Sequence, residues 1–295
     1  MSIRRPAVWL LRVVWFVTGP TVAGAVDGAF GAFSDPVRIV AVALVWAWWA
    51  VGLLAVLVPS PLGLTVIRVA APGAAAVAAL SAFGDRADPL AIGLATAAAL
   101  LALTAQIGDD FVDASSYGPE RRMPLRVPGP LLLGPIPFAA AVALVGTTVG
   151  PLLLAGGAWL VGVPATLLGL PAAWLALRAL HQLSRRWLVF VPGGVVVHDQ
   201  MVVLDALLCR RDVVRAITPA LAGTEADDLT LGALGRALEI DLAGPVDYVP
   251  AAGRNGTVQL ERTRAVLISP TRPGLALQLA ADHRLPTTIS SPSPG

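Results

Sequence analysis

Asp109, Asp110 and Asp113 form the one close acidic triplet in the apolar front part of this 295-residue chain. If the backbone there is helical, Asp109 and Asp113 share a face at i, i+4. Together with Asp110 they supply the hard oxygen ligands that a divalent cation takes. Ser115, Ser116 and Tyr117 follow, and Glu120 sits beside Arg121 and Arg122. A triplet of this kind either holds a cation or belongs to a polar loop whose acids and arginines neutralise one another or lie against a neighbouring domain. The second use is the commoner one. Asp109, Asp110, Asp113, Tyr117, Glu120, Arg121 and Arg122 are therefore assigned to a candidate interaction loop, and no catalytic, cofactor-binding or metal-ligating set is expected.

The other residues with chemistry in them are scattered. His181, His198 and His283 lie far apart, and Cys209 is the only cysteine. A zinc site needs several such ligands, so none is read here. Every basic side chain is Arg and none is Lys, which excludes a lysine-bearing phosphate loop. Asp-Asp-x-x-Asp is similar to the diphosphate–Mg²⁺ motif of isoprenyl transferases. That resemblance implies a second acidic cluster facing the first. The one nearby pair, Asp85 and Asp88, falls on the opposite side of the bilayer in the topology below.

The elements that position these residues are apolar. The chain is 56% hydrophobic and 14% charged, against roughly 25% charged in an average soluble domain. Six stretches have the length and composition of a membrane-spanning helix: residues 7–26, 37–58, 65–83, 89–107, 135–154 and 158–180. Arg12 interrupts the first, and the third carries Arg68 and Pro72. Asp27 reads as a span boundary, and Trp46, Trp48 and Trp49, in mid-span, read as helix-packing residues. Gly24-x-x-x-Gly28 and Gly146-x-x-x-Gly150 have the spacing that lets helices approach closely, a spacing that a glycine-rich chain also produces by chance. Arg4 and Arg5 before an apolar stretch, with Ala23 and Ala25 beyond, also resemble a secretory signal. Arg12 inside that stretch favours a retained helix.

Charge sets the orientation, because short arginine-rich loops stay in the cytoplasm. Arg4 and Arg5, then Arg121, Arg122 and Arg126, then Arg178, Arg185 and Arg186 fall on one side if all six stretches cross. Both termini are then cytoplasmic, in a multi-pass protein of the plasma (inner) membrane. The lone Cys209 agrees with a reducing compartment. A net charge of +2 gives no reason to expect nucleic acid as a partner.

Beyond Arg185 the apolar period shortens to that of strands. Residues 187–191 and 195–197, with Pro192-Gly193-Gly194 between them, read as a hairpin. Further strands are expected at 201–204, 213–218, 237–242, 246–249 and 258–268. A helix over 274–283 follows, capped by Thr271 or Ser269, opened by Pro273 and ended by Pro286. The domains are thus 1–184 transmembrane, 185–285 β-rich and cytoplasmic, and 286–295 a disordered tail.

The order of these pieces, and the run Arg185-Arg186-Trp187-Leu-Val-Phe-Val-Pro192-Gly-Gly-Val-Val-Val197-His198-Asp199, resemble bacterial pleckstrin-homology-like (PH-like) domains attached to membrane helices. Over nearly its whole length the chain is similar to a family of polytopic bacterial membrane proteins without an assigned activity. Phe111-Val-Asp-Ala-Ser-Ser-Tyr-Gly-Pro-Glu-Arg-Arg-Met-Pro-Leu-Arg126 and Ser269-Pro-Thr-Arg-Pro-Gly274 are its recognisable stretches. The resemblance implies an α-helical transmembrane bundle of about six helices, then a small β-rich PH-like barrel closed by a C-terminal helix.

The expected function is a non-enzymatic, membrane-anchored binding or scaffolding module embedded in the lipid bilayer, whose cytoplasmic domain contacts a protein or a lipid headgroup. From Arg185 onward 11 Arg face 11 acidic residues, which leaves little net attraction to anionic lipid and favours a protein. A transporter or channel is the alternative, and would require broken helices or paired charges within the membrane. An Mg²⁺-dependent prenyl or lipid transferase using residues 109–113 is the third reading.

Overall fold

The structure is a computed structural model that describes residues 6–83, 88–251 and 260–287. The chain divides into two compact units, Met1–Ala114 with Gly134–Gln182 and Ser115–Leu133 with Leu183–Gly295.

The first unit is helical: α1 (Pro6–Ala29), α2 (Asp35–Leu57), α3 (Pro61–Ser81), α4 (Pro89–Leu103), α5 (Ala105–Asp113), α7 (Pro135–Ala155) and α8 (Trp159–Ser184, its last residues at the boundary). Five helical stretches are long and apolar enough to cross a membrane, and the bent pair α4–α5 makes a sixth if it counts as one span. Proline stands at the first turn of α2, α3, α4 and α7, where its missing N–H would be unpaired in any case. Large apolar side chains such as Phe83 and Leu160 lie open on the outside, an arrangement suited to lipid rather than water.

Packing inside this unit turns on tryptophan and glycine. The Trp15 indole lies over Gly52 and the Trp49 indole over Gly19, so that no Cβ fits at either glycine. Trp15 Nε1 donates to Trp49 O (3.1 Å) and Trp49 Nε1 to Trp15 O (2.9 Å). Trp48 Nε1 donates to Thr147 Oγ1 (3.3 Å), joining α2 to α7. Trp48 and Trp49 are helix-packing residues, as their mid-span position suggested, whereas Trp46 is exposed and meets Trp49 of its own helix edge-on. Gly146 meets the Gly169 backbone and Gly150 meets Thr166, whereas nothing stands within 4 Å of a Cβ at Gly24 or Gly28. One of the two glycine spacings is therefore a real close crossing and the other is chance.

The fourth expected span is broken. The chain bends by 62° between α4 and α5. Thr104 is extended at the break, where its hydroxyl donates to Leu101 O (2.7 Å) and accepts from Ile107 N–H (3.3 Å). One side chain thus ends one helix and caps the next. No proline marks the site, which is why an apolar run hides it.

The second unit contains β1 (Arg121–Pro124), the single turn α6 (Gly129–Leu132), β2 (Trp187–Val191), β3 (Gly194–His198), β4 (Leu207–Arg210), β5 (Val214–Pro219), β6 (Asp227–Asp228), β7 (Leu238–Tyr248), β8 (Glu261–Ile268) and α9 (Pro273–Asp282). Its two sheets run β1-β2-β3-β4 and β5-β7-β8-β6. All pairings are antiparallel except β6 with β8. Neither sheet closes on itself among the described residues, so the structure gives two open sheets where a barrel was expected. Inward side chains of both sheets, including Phe190, Val197, Ile240 and Val266, share one core with Ala276 and Ala280 of α9.

Several local expectations are corrected. Residues 201–204 form a turn instead of a strand: the Asp199 carboxylate accepts from Met201 N–H (3.1 Å), and Asp199 O accepts from Val202 and Val203. An Asp side chain able to hold its own chain in a turn outweighs β-branched propensity. Residues 237–242 and 246–249 join into the single β7, with Gly244 and Pro245 at an irregularity between Asp241 and Val246. A proline lacks the ladder donor and is tolerated at such a bulge. Neither Thr271 nor Ser269 caps α9: its cap is Arg272, without a side-chain bond. Thr271 N–H goes to Pro124 O, and Ser269 O accepts from Arg126 N–H. Pro286 and Thr287 are not a free tail, since Ile217 N–H donates to Pro286 O (2.8 Å) and Thr287 bridges Ile217. Residues 288–295, 258–259, Arg4, Arg5, Asp85 and Arg86 lie outside the described residues.

Candidate functional site

The seven residues of the candidate loop are divided between the two units. Asp109, Asp110 and Asp113 are on α5, in the helical unit, with Asp109 buried and the other two half-buried. Tyr117, Glu120, Arg121 and Arg122 are in the β-rich unit, the arginines on β1.

In the helical unit Asp109 of α5 joins a polar cluster. Arg68 of α3 interacts electrostatically with Asp109 and donates through Nε to Ala102 O at the C-terminus of α4 (3.3 Å). Thr65, one turn before Arg68, donates its hydroxyl to Pro61 O (3.1 Å) and lies 3.1 Å from His181 Nδ1 of α8. Arg12 of α1 donates through Nε to Val56 O (2.9 Å) and through its Nη to Leu57 O (3.3 Å), at the C-terminus of α2. The start of α1, the ends of α2, α4 and α8, the start of α3, and α5 therefore share one end of the unit.

Asp109, Asp110 and Asp113 do not converge on a cation site: no group of three or more His, Cys, Asp or Glu able to hold a metal occurs among the described residues. Asp88 caps the N-terminus of α4, accepting from Leu90 and Ala91 N–H. It stands the length of that 15-residue helix away from α5, about 22 Å at the α-helical rise. Asp88 therefore supplies no second acidic group beside α5, and Asp85 lies outside the described residues.

In the β-rich unit, Glu120 accepts from Arg122 Nε (2.5 Å) and from Tyr117 N–H (3.4 Å). The Arg122 guanidinium stands over the Trp187 ring (5.5 Å), and that ring is stacked on His198 (5.0 Å, 15°). The row follows from register, since Pro124 pairs with Trp187 and Trp187 with His198. Burial first, then the nearby cations Arg185 and Arg122, push the His198 pKa down, while Asp199 opposes them. Tyr117 is 81% exposed.

The most deeply buried charges were not anticipated as a pair. Arg186 and Asp199, at the two ends of the hairpin motif, are joined at 2.7–2.8 Å with side chains 2% and 0% exposed. Arg186 also donates to Arg126 O (2.9 Å). Three chain segments meet at this guanidinium: the lead into β2, the exit from β3 and the stretch after β1. Arg68 and His181 were likewise missed as members of a site. A lone arginine inside an apolar run is the signal for Arg68, because a charge at membrane depth has to find a partner. Asp27 and Arg38 form an exposed ion pair (2.8 Å) in the last turn of α1 and the first of α2, the boundary position read from sequence. They line a shallow cleft of about 310 Å³ with Ile39, Val42, Ala43 and Trp46.

No family model, curated protein or solved structure matches the chain in comparisons of each kind.

Proposed function

We propose that this is a multi-pass protein of the plasma membrane with both termini in the cytoplasm, whose helices anchor a PH-like binding module that contacts a protein or a lipid headgroup. The observation that carries the reading is the double attachment of the β-rich unit. Its core is its own, yet its edge strand β1 comes from the segment between α5 and α7. A module built from two separate stretches of the chain, 115–133 and 183 onward, is more than a tail appended to the last helix, which favours a recognition role. Two four-stranded sheets and a C-terminal helix support the PH-like assignment, in an open form. The 115–133 segment adds three Arg and one Glu to the balanced 11 and 11 of the later chain, a small basic excess that leaves a protein favoured over a headgroup.

Photo-crosslinking in intact cells from an unnatural residue at Tyr117 tests this. A discrete protein or lipid adduct, missing when the same probe replaces the lipid-facing Leu160, is expected. Identical adduct profiles at the two positions would remove the binding module.

One observation favours the transporter reading. A span broken at Thr104, with Arg68 and Asp109 beside the break, combines the interrupted helix and the facing charges that such proteins use. Solute flux in proteoliposomes that is lost in Asp109→Asn decides for it, and flux unaffected by that change decides against it.

A further inference from the structure

The β-rich unit has an apolar tip that its core does not use. Leu229 and Thr230 are buried, with Leu229 N–H donating to Leu267 O (3.1 Å) and Thr230 N–H to the Asp228 carboxylate (2.7 Å). The chain then reverses: Ala233 N–H donates to Thr230 O (3.2 Å), with φ +55° at Leu231 and +68° at Gly232. Positive φ at both central residues is the type I′ pattern, which favours Asn, Asp and Gly. A leucine in the left-handed region is strained, and here the strain sets an apolar side chain at the turn's apex. Leu234 follows, 70% exposed.

The tip is held from behind. Arg126 Nη1 donates to Leu234 O and Arg236 O (3.1 Å each), and its guanidinium fills the place that a Cβ on Gly235 (φ +101°) would occupy. Gly129 N–H donates to Gly232 O (3.3 Å), and a Cβ on Gly129 would stand 3.2 Å from Leu234 Cγ. Gly129 opens α6, whose exposed Leu132 is followed by Leu133, 95% exposed, just before α7. The whole stretch Gly129–Ala155 is apolar enough to cross a membrane. Gly129 lies only six residues before Pro135, the first residue of α7, so this stretch leads directly into that helix.

We propose that residues 231–234, together with Leu132 and Leu133, form a membrane-docking tip that inserts its leucines into the interfacial region of the bilayer. The occupant is lipid because the patch is continuous with the segment that leads into α7, and because exposed leucines on a preset turn offer apolar area rather than hydrogen bonds. The inference rests on the reading of α7 as a membrane span.

The test uses the full chain in phosphatidylcholine–phosphatidylglycerol vesicles with and without doxyl-labelled acyl chains. Cys209 is buried and its thiol is pushed up to about 12 by that burial, so a cysteine placed on the surface takes an environment-sensitive fluorophore selectively. Probes go at Leu234→Cys, at Val145→Cys on the exposed side of α7, and at Leu204→Cys. Leu204 N–H donates to Val249 O beyond the far end of β7, about 30 Å from its start in extended chain. The expected result is lipid quenching at 145 and 234 and none at 204. Quenching at 145 alone overturns the tip and leaves the membrane reading intact, whereas its absence at 145 sinks both. Quenching at 204 as well means the unit lies on lipid without a specific tip, which overturns the proposal. High salt is expected to leave the signal at 234 unchanged, since screening acts on charge and not on apolar insertion; its loss would overturn the assignment. Leu231→Asn suits the turn's backbone while removing the apolar apex, and is expected to lower quenching at 234. Unchanged quenching in that variant would count against the tip.

Discussion

Arg186 in the β-rich unit and Arg12 and Arg68 in the helical unit face the same difficulty by different means. Arg186 is enclosed by a water-excluding core and is balanced by a carboxylate, Asp199, with Arg126 O as a second acceptor. Arg12 uses the carbonyls at the end of α2, and Arg68 adds the carbonyl at the end of α4 to its electrostatic interaction with Asp109. Helix C-termini leave their last carbonyls without partners inside the helix and carry partial negative charge, so a guanidinium satisfies them and is satisfied. The β-rich core has to supply a counter-charge from another part of the chain. A helical bundle holds acceptors ready at every helix end.

The strongest break in this comparison is Asp199→Ala. Removing one member of a buried pair is expected to destabilise the β-rich unit by about 3–5 kcal/mol. Replacing both members, as in Arg186→Met with Asp199→Leu, should recover most of that loss. Hydrogen exchange of the β2 and β3 peptides in the intact, solubilised protein reads both; wild-type protection in Asp199→Ala would show the pair to be dispensable.

Close packing in the helical unit gives the next effect. Gly146→Leu has to push α7 away from the Gly169 backbone, and overpacking of this kind costs about 1–3 kcal/mol. Gly24→Ala meets open space and should be neutral or stabilising by up to about 1 kcal/mol through helix propensity. Detergent melting of the two variants side by side checks the difference, and equal melting temperatures would contradict it.

Arg12→Ala should act more weakly than the change at Asp199. It frees carbonyls at a helix end that water can partly re-satisfy, a loss of about 0.3–2 kcal/mol. If its effect equals that of Asp199→Ala, the contrast between the two regions fails.

The smallest effect concerns pH. The folded pKa of His198 is held below its ordinary value of 6.5, so as pH falls the unfolded chain takes up its proton first. The His198 contribution to stability is therefore complete at neutral pH and above. It declines as pH drops below about 6.5 and levels off once the folded imidazole is also protonated. A shallow loss of protection in β3 between neutral and acidic pH, absent in His198→Gln, is expected. An equal slope in both proteins would exclude His198 as its source.

The helices were legible because helices long and apolar enough to cross a membrane are continuous apolar runs, as residues 37–58 are. The hairpin at Pro192-Gly193-Gly194 was legible for a similar reason: the turn residues and the flanking β-branched residues agree. β1 was hidden because Arg121-Arg122-Met123-Pro124 has no strand pattern of its own and becomes a strand only by pairing with β2. The break at Thr104 was hidden because a threonine hydroxyl does the work that a proline would have announced. For the candidate loop, sequence joined Asp109 and Arg122 into one segment that the fold divides between two units.

Composition and period alone determined that this chain alternates apolar helices with polar ends and then changes to strands, because both properties are local and repeat within a few residues. Tertiary structure alone decided which charges meet. Arg186 finds Asp199 across a hairpin, Arg68 finds the end of α4, and Trp15 and Trp49 each cover the other helix's glycine. Such pairings depend on register and helix crossing, which arise only when distant segments exclude water or lipid from between them.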